Sequence, residues 1–310
     1  MVVTNWEALA AAACAVMLVG VDARPASGAF PGRAGKIAFV SDASGSDDIL
    51  VMSADGSGRE NLTVGPEHDY EPAWSPDGRS LAFVREGVQP AIYLLRVDGG
   101  GLRRVTSGSS PAWAPDGARL VFSRHTAQGT DLYSARLDGG GLRRLTRSAA
   151  AEGEPEWSPD GRLIAFVREG RTGSSRVYVM RPNGSGVRRV TTGSLEDKSP
   201  TWSPDGRQLA FVREDESLGV SRVYVVSVNG KRVRRLVGKL ELDPAATFEG
   251  GPAWSPDGQR IVFVRGARVY SDLYVASADG KFLRRMSDNA IDQVTDRQPT
   301  WQRLAKRRSA

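Results

Sequence analysis

The sequence predicts an all-β fold built from one repeated unit, on three observations. The tripeptide Pro-x-Trp occurs six times, 39 to 52 residues apart. Five of the six copies continue as Ser/Ala-Pro-Asp-Gly, and an Asp-Gly or Asn-Gly dipeptide closes each unit's second half. Such dipeptides between short apolar runs indicate β-hairpins, because both residues tolerate a positive φ. Units of about 45 residues with four short strands are typical of propeller blades, so we expect a six-bladed β-propeller.

Each unit supplies its four strands in the same order. Strand A is Pro-x-Trp, strand B is an apolar run such as 81–84, strand C is an apolar-aromatic run such as 131–133, and strand D is a basic run such as 102–106. Both faces of strand B are apolar, which is typical of sheets that are packed on both sides. We assign a structural role to the repeated tryptophans and turn aspartates: Trp74, Asp77, Trp113, Asp116, Trp157, Asp160, Trp202, Asp205, Trp254, Asp257 and Trp301. An Asp in such a turn accepts hydrogen bonds from its own backbone, so we favour that role over metal binding.

The chain order predicts how the ring closes. The first unit begins at strand B, residues 37–40, and has no strand A of its own. The last Pro-x-Trp, around Trp301, has no strand B after it. We therefore expect the C-terminal strand to join the N-terminal blade and the propeller to span residues 29–303.

The first 28 residues read as an export segment. Ala8–Val21 is an uninterrupted apolar run of 14 residues, which fits a secretory signal and is shorter than the roughly 20 residues of a membrane span. We expect residues 1–28 to be a signal peptide, with an uncleaved anchor as the alternative, and the mature chain to be exported without a transmembrane span. Lipidation at Cys14 is disfavoured because Ala stands where Leu is usual. Residues 304–310 form a basic tail.

The repeats resemble a known family. The order of motifs in each unit resembles the PD40, or WD40-like, repeat of TolB-type propellers. These motifs are Trp-Ser-Pro-Asp-Gly, an apolar Leu/Ile-Ala/Val-Phe run, Asp-Leu-Tyr-Val, Asp-Gly and Leu-Arg-Arg-Leu-Thr. The resemblance covers about residues 35–303 and implies the six-bladed fold. TolB itself has an N-terminal α/β domain that contacts the Tol machinery, whereas about 34 residues precede the first unit here. The sequence therefore predicts a TolB-like propeller without that domain.

Composition excludes several classes of site. One cysteine excludes a disulfide framework and a Cys-cluster zinc site, and two histidines exclude a three-His metal centre. We expect no metal, no cofactor and no catalytic residue, although the oxygen-rich loop 42–48 leaves calcium as an alternative. The net charge is only +6, and the Arg-Arg pairs fall on the exposed strand D of each blade, where charge blocks strand addition. We therefore expect no nucleic-acid partner, with anionic-surface binding by these pairs as the alternative.

Strand order places the variable loops on one face. The A–B and C–D turns are tight and uniform, whereas the B–C and D–A loops differ between units and meet on the opposite face, where binding residues usually lie. Five units end strand B with Arg, and acids crowd the D–A loops. The candidate partner-binding residues are Glu67, His68, Asp69, Glu71, Arg85, Arg124, Glu154, Arg168, Glu196, Asp197, Arg213, Arg265 and Asp296. These charges form either an Arg–carboxylate lattice that holds the loops or a charged mouth that recognises a ligand. Glu156, just before Trp157, is expected to pair with an Arg.

Three hypotheses about function follow, and these features favour the first, a non-enzymatic module. The first is an exported, monomeric protein-interaction module of the cell envelope that binds an envelope protein through the variable loops. The second is a polysaccharide- or peptide-processing enzyme with carboxylates such as Glu71 and Glu154 at the channel mouth. The third is a small-ligand sensor. His68 is the best general-base candidate, but no nucleophile motif accompanies it.

Overall fold

The computed structural model describes residues 32–170, 173–238, 247–267, 270–288 and 294–304. The predicted export segment 1–28, with Cys14, lies outside the described residues, as does the tail beyond 304. Within the described part of the chain every regular element is a β-strand, and no helix is long and apolar enough to cross a membrane.

Twenty-four strands form six four-stranded antiparallel sheets, and each sheet is one blade. The innermost strands, A, are β4 (Asp69–Trp74), β8 (Ser109–Trp113), β12 (Glu152–Trp157), β16 (Glu196–Trp202), β20 (Phe248–Trp254) and β24 (Asp296–Leu304). The B strands are β1 (Arg33–Ser41), β5 (Ser80–Arg85), β9 (Arg119–Thr126), β13 (Ile164–Glu169), β17 (Gln208–Asp215) and β21 (Arg260–Ala267).

Strands C and D form the outer half of each blade, and D strands have only two to five residues. The C strands are β2 (Asp48–Met52), β6 (Ala91–Arg96), β10 (Gly129–Arg136), β14 (Ser175–Met180), β18 (Val220–Ser227) and β22 (Tyr270–Ser277). The D strands are β3 (Glu60–Asn61), β7 (Arg103–Ser107), β11 (Arg143–Arg144), β15 (Arg188–Arg189), β19 (Arg234–Arg235) and β23 (Leu283–Arg285). We number the blades 1 (β24, β1–β3), 2 (β4–β7), 3 (β8–β11), 4 (β12–β15), 5 (β16–β19) and 6 (β20–β23).

The ring closes as the sequence predicts. β24 pairs with β1, with Trp301 opposite Ile37, so the last strand of the chain completes the first blade. Asp42 accepts hydrogen bonds from the Thr295 backbone N–H and hydroxyl. Arg297 pairs with Asp47 across the same junction. The carboxylates of loop 42–48 thus bind neighbouring residues, and the described residues contain no cluster of three or more His, Cys, Asp or Glu that could hold a metal.

The core lies between the blades. The B-strand Phe is fully buried in each blade, at Phe39, Phe83, Phe122, Phe166, Phe211 and Phe263. Three of the repeat tryptophans also form hydrogen bonds between adjacent blades: the Trp202 indole N–H donates to the Glu156 carbonyl at 3.1 Å, Trp113 to Ala73 at 3.0 Å and Trp74 to Thr300 at 3.2 Å. Because apolar contacts and buried hydrogen bonds both cross the interfaces, each blade depends on its neighbours.

The tight-turn face, formed by the A–B and C–D turns, is satisfied internally. In blade 5 the Asp205 carboxylate accepts the Ser203 hydroxyl at 2.6 Å and the Arg207 N–H at 3.0 Å. Most C–D turn glycines are needed because the blades approach closely there: at Gly280, with φ of 76°, a Cβ atom would lie 1.8 Å from the Leu236 carbonyl oxygen. Repetition on this face therefore reflects turn geometry and blade packing.

The Arg-Arg pairs do more than protect an edge. The first Arg of each pair donates to a carbonyl in the C–D turn region of the next blade: Arg103 to Leu137, Arg143 to Asn183, Arg188 to Val228, Arg234 to Ala278 and Arg284 to Asp55. This link between blades was not predicted. The constant position of the pair after the Asp/Asn-Gly turn was its sequence signal.

The predicted Arg partner of Glu156 is wrong. Glu156 is buried between blades 4 and 5, where Oε1 accepts the Trp202 backbone N–H at 3.1 Å and the Thr201 hydroxyl at 3.3 Å, and Oε2 has no partner among the described residues. Burial raises the pKa of this carboxyl well above its usual range. The interface supplies backbone and hydroxyl donors to Glu156 in place of an Arg.

Candidate functional site

The variable face is formed by the B–C and D–A loops, which the antiparallel strand order places at the ends opposite the tight turns. At this face each A strand starts with an acid five residues before its Trp, except in blade 3. The acids are Asp69, Glu152, Asp197, Glu249 and Asp296, and all are buried. Their position next to the last Arg of strand B follows from the ladder register, which sets Asp69 opposite Arg85 and Asp197 opposite Arg213.

In blades 2 and 5 the acid and the Arg form a two-pronged ion pair. Arg85 Nε and Nη2 each lie 2.8 Å from an oxygen of Asp69. Arg213 bonds Asp197 at 2.7 and 2.9 Å, and the bond with Asp197 raises the pKa of the Arg213 guanidinium. Such paired geometry makes the bond strong and directional. These charges are satisfied within their own blades.

Blades 4 and 1 achieve the same pairing with different geometry. Arg168 Nε lies 2.6 Å from Glu152 in blade 4. Blade 1 has Ser41 at the Arg position, and its acid, Asp296, is bound instead by Arg59 at 2.8 Å. Each of these arginines lies over an aromatic ring of its blade; for example, Arg168 lies 4.9 Å from the centre of Tyr178. The arginines are therefore held by both charge and aromatic contacts.

Blade 6 departs from this pattern because of one residue in blade 5. In blade 4 the hydroxyl of Thr191 accepts the Val177 N–H at 3.0 Å, but in blade 5 Val237 stands at the Thr position. Glu249 of blade 6 accepts the Val223 N–H instead, at 3.0 Å. Arg265 is thereby left without its carboxylate: its Nε and Nη1 are buried and have no hydrogen-bond partner among the described residues.

Glu71 and Glu154 belong to a ring of residues near the axis that the sequence reasoning missed. Three residues before each Trp the chain adopts the left-handed region at a β-bulge, with φ between 50° and 57°, at Glu71, Ser110, Glu154, Ser199, Gly251 and Gln298. The Gln298 side chain accepts the Glu71 N–H at 2.8 Å. Glu154 accepts the Ser199 N–H at 2.6 Å. The following Pro, which cannot donate to the ladder, was the signal for the bulge.

The bonds of Glu71 and Glu154 within this ring are relevant to the hypothesis that these carboxylates act as catalytic groups at the channel mouth. Glu71 accepts the backbone N–H and the hydroxyl of Ser110 in the next blade. Glu154 lies two blades away from Glu71, with blade 3 between them. Each carboxylate thus bonds to the blade that follows its own.

The exposed charges lie on the loops. Glu67 and His68 are exposed, and His68 Nδ1 lies 3.3 Å from Asp47. Glu196, in contrast, starts β16 and is only 16% exposed; it binds Lys198 at 2.5 Å, and Lys198 also binds Glu214 at 3.0 Å. Although burial lowers the pKa of Lys198, the bonds with Glu196 and Glu214 raise it above its usual range. The candidate residues therefore divide into a buried set that holds the blades and an exposed set that is free to meet a partner.

Arg124 belongs to neither set. It lies two residues before the end of β9, 5.9 Å from the centre of the Tyr133 ring. Blade 3 has Gly108 where the other blades have an A-strand acid. Asp131 stands opposite Arg124 in the β9–β10 ladder, but its carboxylate is bound by Arg144 at 2.5 Å. The guanidinium lines a pocket of about 590 Å³ between blades 2 and 3.

Comparisons with known proteins agree on the propeller. The family model described as the TolB beta propeller domain, PD40, matches residues 106–305. The TolB homolog of Chlorobium chlorochromatii is 32% identical over 135 residues, which are 43% of this chain and 31% of that protein. The uncharacterized peptidase YuxL of Bacillus subtilis is 36% identical over 61 residues, 19% of this chain and 9% of that protein.

The structural comparison covers more of the chain. TolB from Acinetobacter baumannii superimposes with a TM-score of 0.74 and 25% sequence identity, over 87% of this chain and 67% of that chain. The matches to the two curated relatives, in contrast, span less than a third of each relative's length. The shared part is the array of repeats.

Proposed function

The chain belongs to the TolB β-propeller family, and we propose that it is an exported protein-interaction module of the cell envelope that binds an envelope protein through the variable face. Family membership and the TolB names of its relatives support an envelope protein-interaction role at this coarse level. The apolar run of residues 8–21 supports export.

The difference between the two faces supports the variable face as the partner-binding surface. The tight-turn face repeats one turn in every blade, and its aspartates are bound by their own backbones. The variable face changes from blade to blade and presents exposed charged residues such as Glu67 and Glu216. A partner that must be recognised specifically needs a surface that differs around the ring.

Photo-crosslinking in the native envelope tests the proposal. Asp69 is unsuitable for a probe, because it is fully buried against Arg85. A photoreactive residue at Glu67, and separately at Glu216, reports on two exposed loops of the variable face. The matched control is the same residue at Arg207, which is exposed beside the Asp205 turn on the opposite face.

We expect a discrete protein adduct from at least one variable-face probe and none from position 207. Adducts of equal yield at all three positions, or adducts only at 207, would contradict binding through the variable face. The absence of any adduct at the three positions would contradict the protein-interaction role itself.

A peptide-processing enzyme remains the second candidate, favoured by the match to a protein named as a peptidase. The inner carboxylate Glu154 tests it, because Glu154→Gln preserves the bond to the Ser199 N–H and removes the acid. Peptide turnover by the wild-type chain that is lost in this variant would support the enzyme. Folded wild-type protein without turnover would remove the candidate.

A further inference from the structure

The connection between blades 2 and 3 is the shortest on the variable face. β7 ends at Ser107 and β8 begins at Ser109, so Gly108 alone links them. The corresponding link between blades 4 and 5 runs from Arg189 to Glu196. Because this D–A loop is absent, the end of blade 3 is left uncovered at this corner.

The same position removes the A-strand carboxylate that binds the equivalent Arg in blades 2 and 5. In blade 5 the equivalent Arg213 is bound on both prongs by Asp197, and in blade 2 Arg85 is bound in the same way by Asp69. Gly108 stands at the acid position in blade 3. Arg124 lies over the face of Tyr133 and forms no ion pair with a described residue, since its cross-strand neighbour Asp131 is bound by Arg144 at 2.5 Å.

The chain cannot restore the carboxylate at this point. Gly108 has φ of 151°, and a Cβ atom there would lie 2.6 Å from Cδ2 of Phe122 and 2.8 Å from the Ser123 carbonyl oxygen. No side chain fits against these buried atoms without movement of the strand. The lack of an A-strand carboxylate beside Arg124 is therefore a fixed property of the corner.

The space in front of Arg124 has an apolar wall. The pocket of about 590 Å³ is lined by Val88 and Pro90 of the preceding blade and by Tyr133 and Leu142 of blade 3. Val88 is fully exposed and Leu142 is about half exposed, at 46%. Exposed apolar side chains around a concave surface are typical of a ligand site.

We propose that this pocket binds a carboxylate that carries an apolar group, with the ligand's carboxylate on Arg124 and its apolar group against Val88, Pro90 and Leu142. A guanidinium can form two parallel hydrogen bonds with a carboxylate, as Arg213 and Asp197 do within this protein. A free small acid and the C-terminus of a peptide with an apolar last residue share this chemistry. The inference is independent of the proposed protein partner, whose probes lie at other loops.

Calorimetric titration of the folded propeller tests the inference with defined probes. The acid probe is 3-phenylpropionate. Its neutral analogue 3-phenylpropanamide tests the charge, and acetate tests the apolar group. An N-acetylated tripeptide ending in Phe, as free acid and as amide, tests a peptide C-terminus against a small acid.

We expect 3-phenylpropionate to bind at least about tenfold more tightly than its amide or acetate, because charge-assisted bonds to Arg contribute more than neutral ones. Arg124→Gln should weaken the acid about tenfold or more and leave the amide unchanged. Arg136→Gln is the matched control: it removes an exposed Arg of the same blade, bonded to Asp138 at the opposite face, and should leave binding unchanged. Tighter binding of the peptide acid than of the small acid would identify a peptide C-terminus; the reverse would identify a small acid.

Three results would overturn the inference. They are equal affinity for acid and amide, unchanged affinity in Arg124→Gln, and no measurable binding of either free acid to folded wild-type protein. Circular dichroism of each variant confirms that the fold is retained, and Arg124→Lys, which keeps the charge but loses the fork, should fall between wild type and the Gln variant.

Discussion

Arginine recurs in the blades at two radii, and the two sets do different work. The inner set ends strand B, and its best-bound members meet buried carboxylates of the same blade: Arg213 is 16% exposed and Asp197 is not exposed at all. The outer set starts or lies on strand D, where exposed guanidiniums such as Arg188 donate to a carbonyl of the next blade. The inner arginines hold a blade's own strands together, and the outer ones link blades.

Burial explains why the same residue type has unequal importance in these two places. A charge that is removed from water must be paired, and loss of its partner leaves it unsolvated. A charge at the rim regains water when its partner is lost. The comparison predicts a steep decrease in mutational effect from the inner strands to the rim.

The largest effect is expected at the inner ion pair. Asp197→Ala leaves Arg213 without its carboxylate in a mostly buried site, so we expect the free energy of unfolding to fall by about 3 to 5 kcal/mol. Urea denaturation monitored by tryptophan fluorescence measures the change. The control is Glu60→Ala, which removes the partner of Lys36 in a pair that is about half exposed, and whose loss should cost at most about 1 kcal/mol. Similar losses for both variants would contradict the claim that the buried inner ion pairs contribute more to stability than exposed ones.

An intermediate, pH-dependent effect is expected at Glu156, the inner-strand carboxyl that has no Arg. The unfolded chain ionises a Glu near pH 4.3, whereas burial raises the pKa of Glu156 in the folded protein. Folding therefore takes up a proton above pH 4.3, and this carboxyl makes the folded state less favourable as the pH rises toward its folded pKa. Glu156→Gln keeps an acceptor for the Trp202 N–H and removes the titration.

Denaturation of both proteins between pH 4 and pH 8 measures this prediction. The stability of the Gln variant relative to wild type should increase with pH, with a slope of at most about 1.4 kcal/mol per pH unit. A difference that stays constant over this range would show that Glu156 ionises as freely in the folded protein as in the unfolded chain.

The smallest effect is expected at the rim, where adjacent arginines provide a matched pair. Arg188 donates to the Val228 carbonyl at 2.9 Å, and its neighbour Arg189 has no bond to any described residue. Arg188→Ala should lower the free energy of unfolding by about 0.5 to 1 kcal/mol, and Arg189→Ala should change it by less than about 0.5 kcal/mol. Equal effects on thermal unfolding would mean that the link between blades contributes nothing measurable to stability.

The architecture was predictable from the sequence because the repeats encode it locally. Pro-x-Trp, the Pro-Asp-Gly turn and the Asp/Asn-Gly turn each specify a local geometry, and six copies fix the blade count. The closure by Trp301 followed from simple counting, since the first unit lacked the strand that the last unit had in excess. The spacing of 39 residues before Trp113 also marked the short corner at Gly108.

The candidate site was less predictable, because alternation places a side chain on a face but does not choose its partner. The sequence could not show that Asp69 and Asp197 are buried against Arg85 and Arg213, or that Asp296 is bound by Arg59 from the turn before β3. The Arg predicted for Glu156 failed for the same reason: the interface supplies backbone and hydroxyl donors instead.

By itself, the sequence determined the strands, the turns, the number of blades and the way the ring closes, since these depend on contacts between residues close in the chain or on a repeated count. Only the tertiary structure decided which charged side chains form ion pairs and which do not. Val237 in one blade draws Glu249 away from Arg265 in the next, and the one-residue link at Gly108 leaves Arg124 facing an open pocket. These outcomes depend on distances between separate blades, and ion pairs and hydrogen bonds act only over a few ångströms.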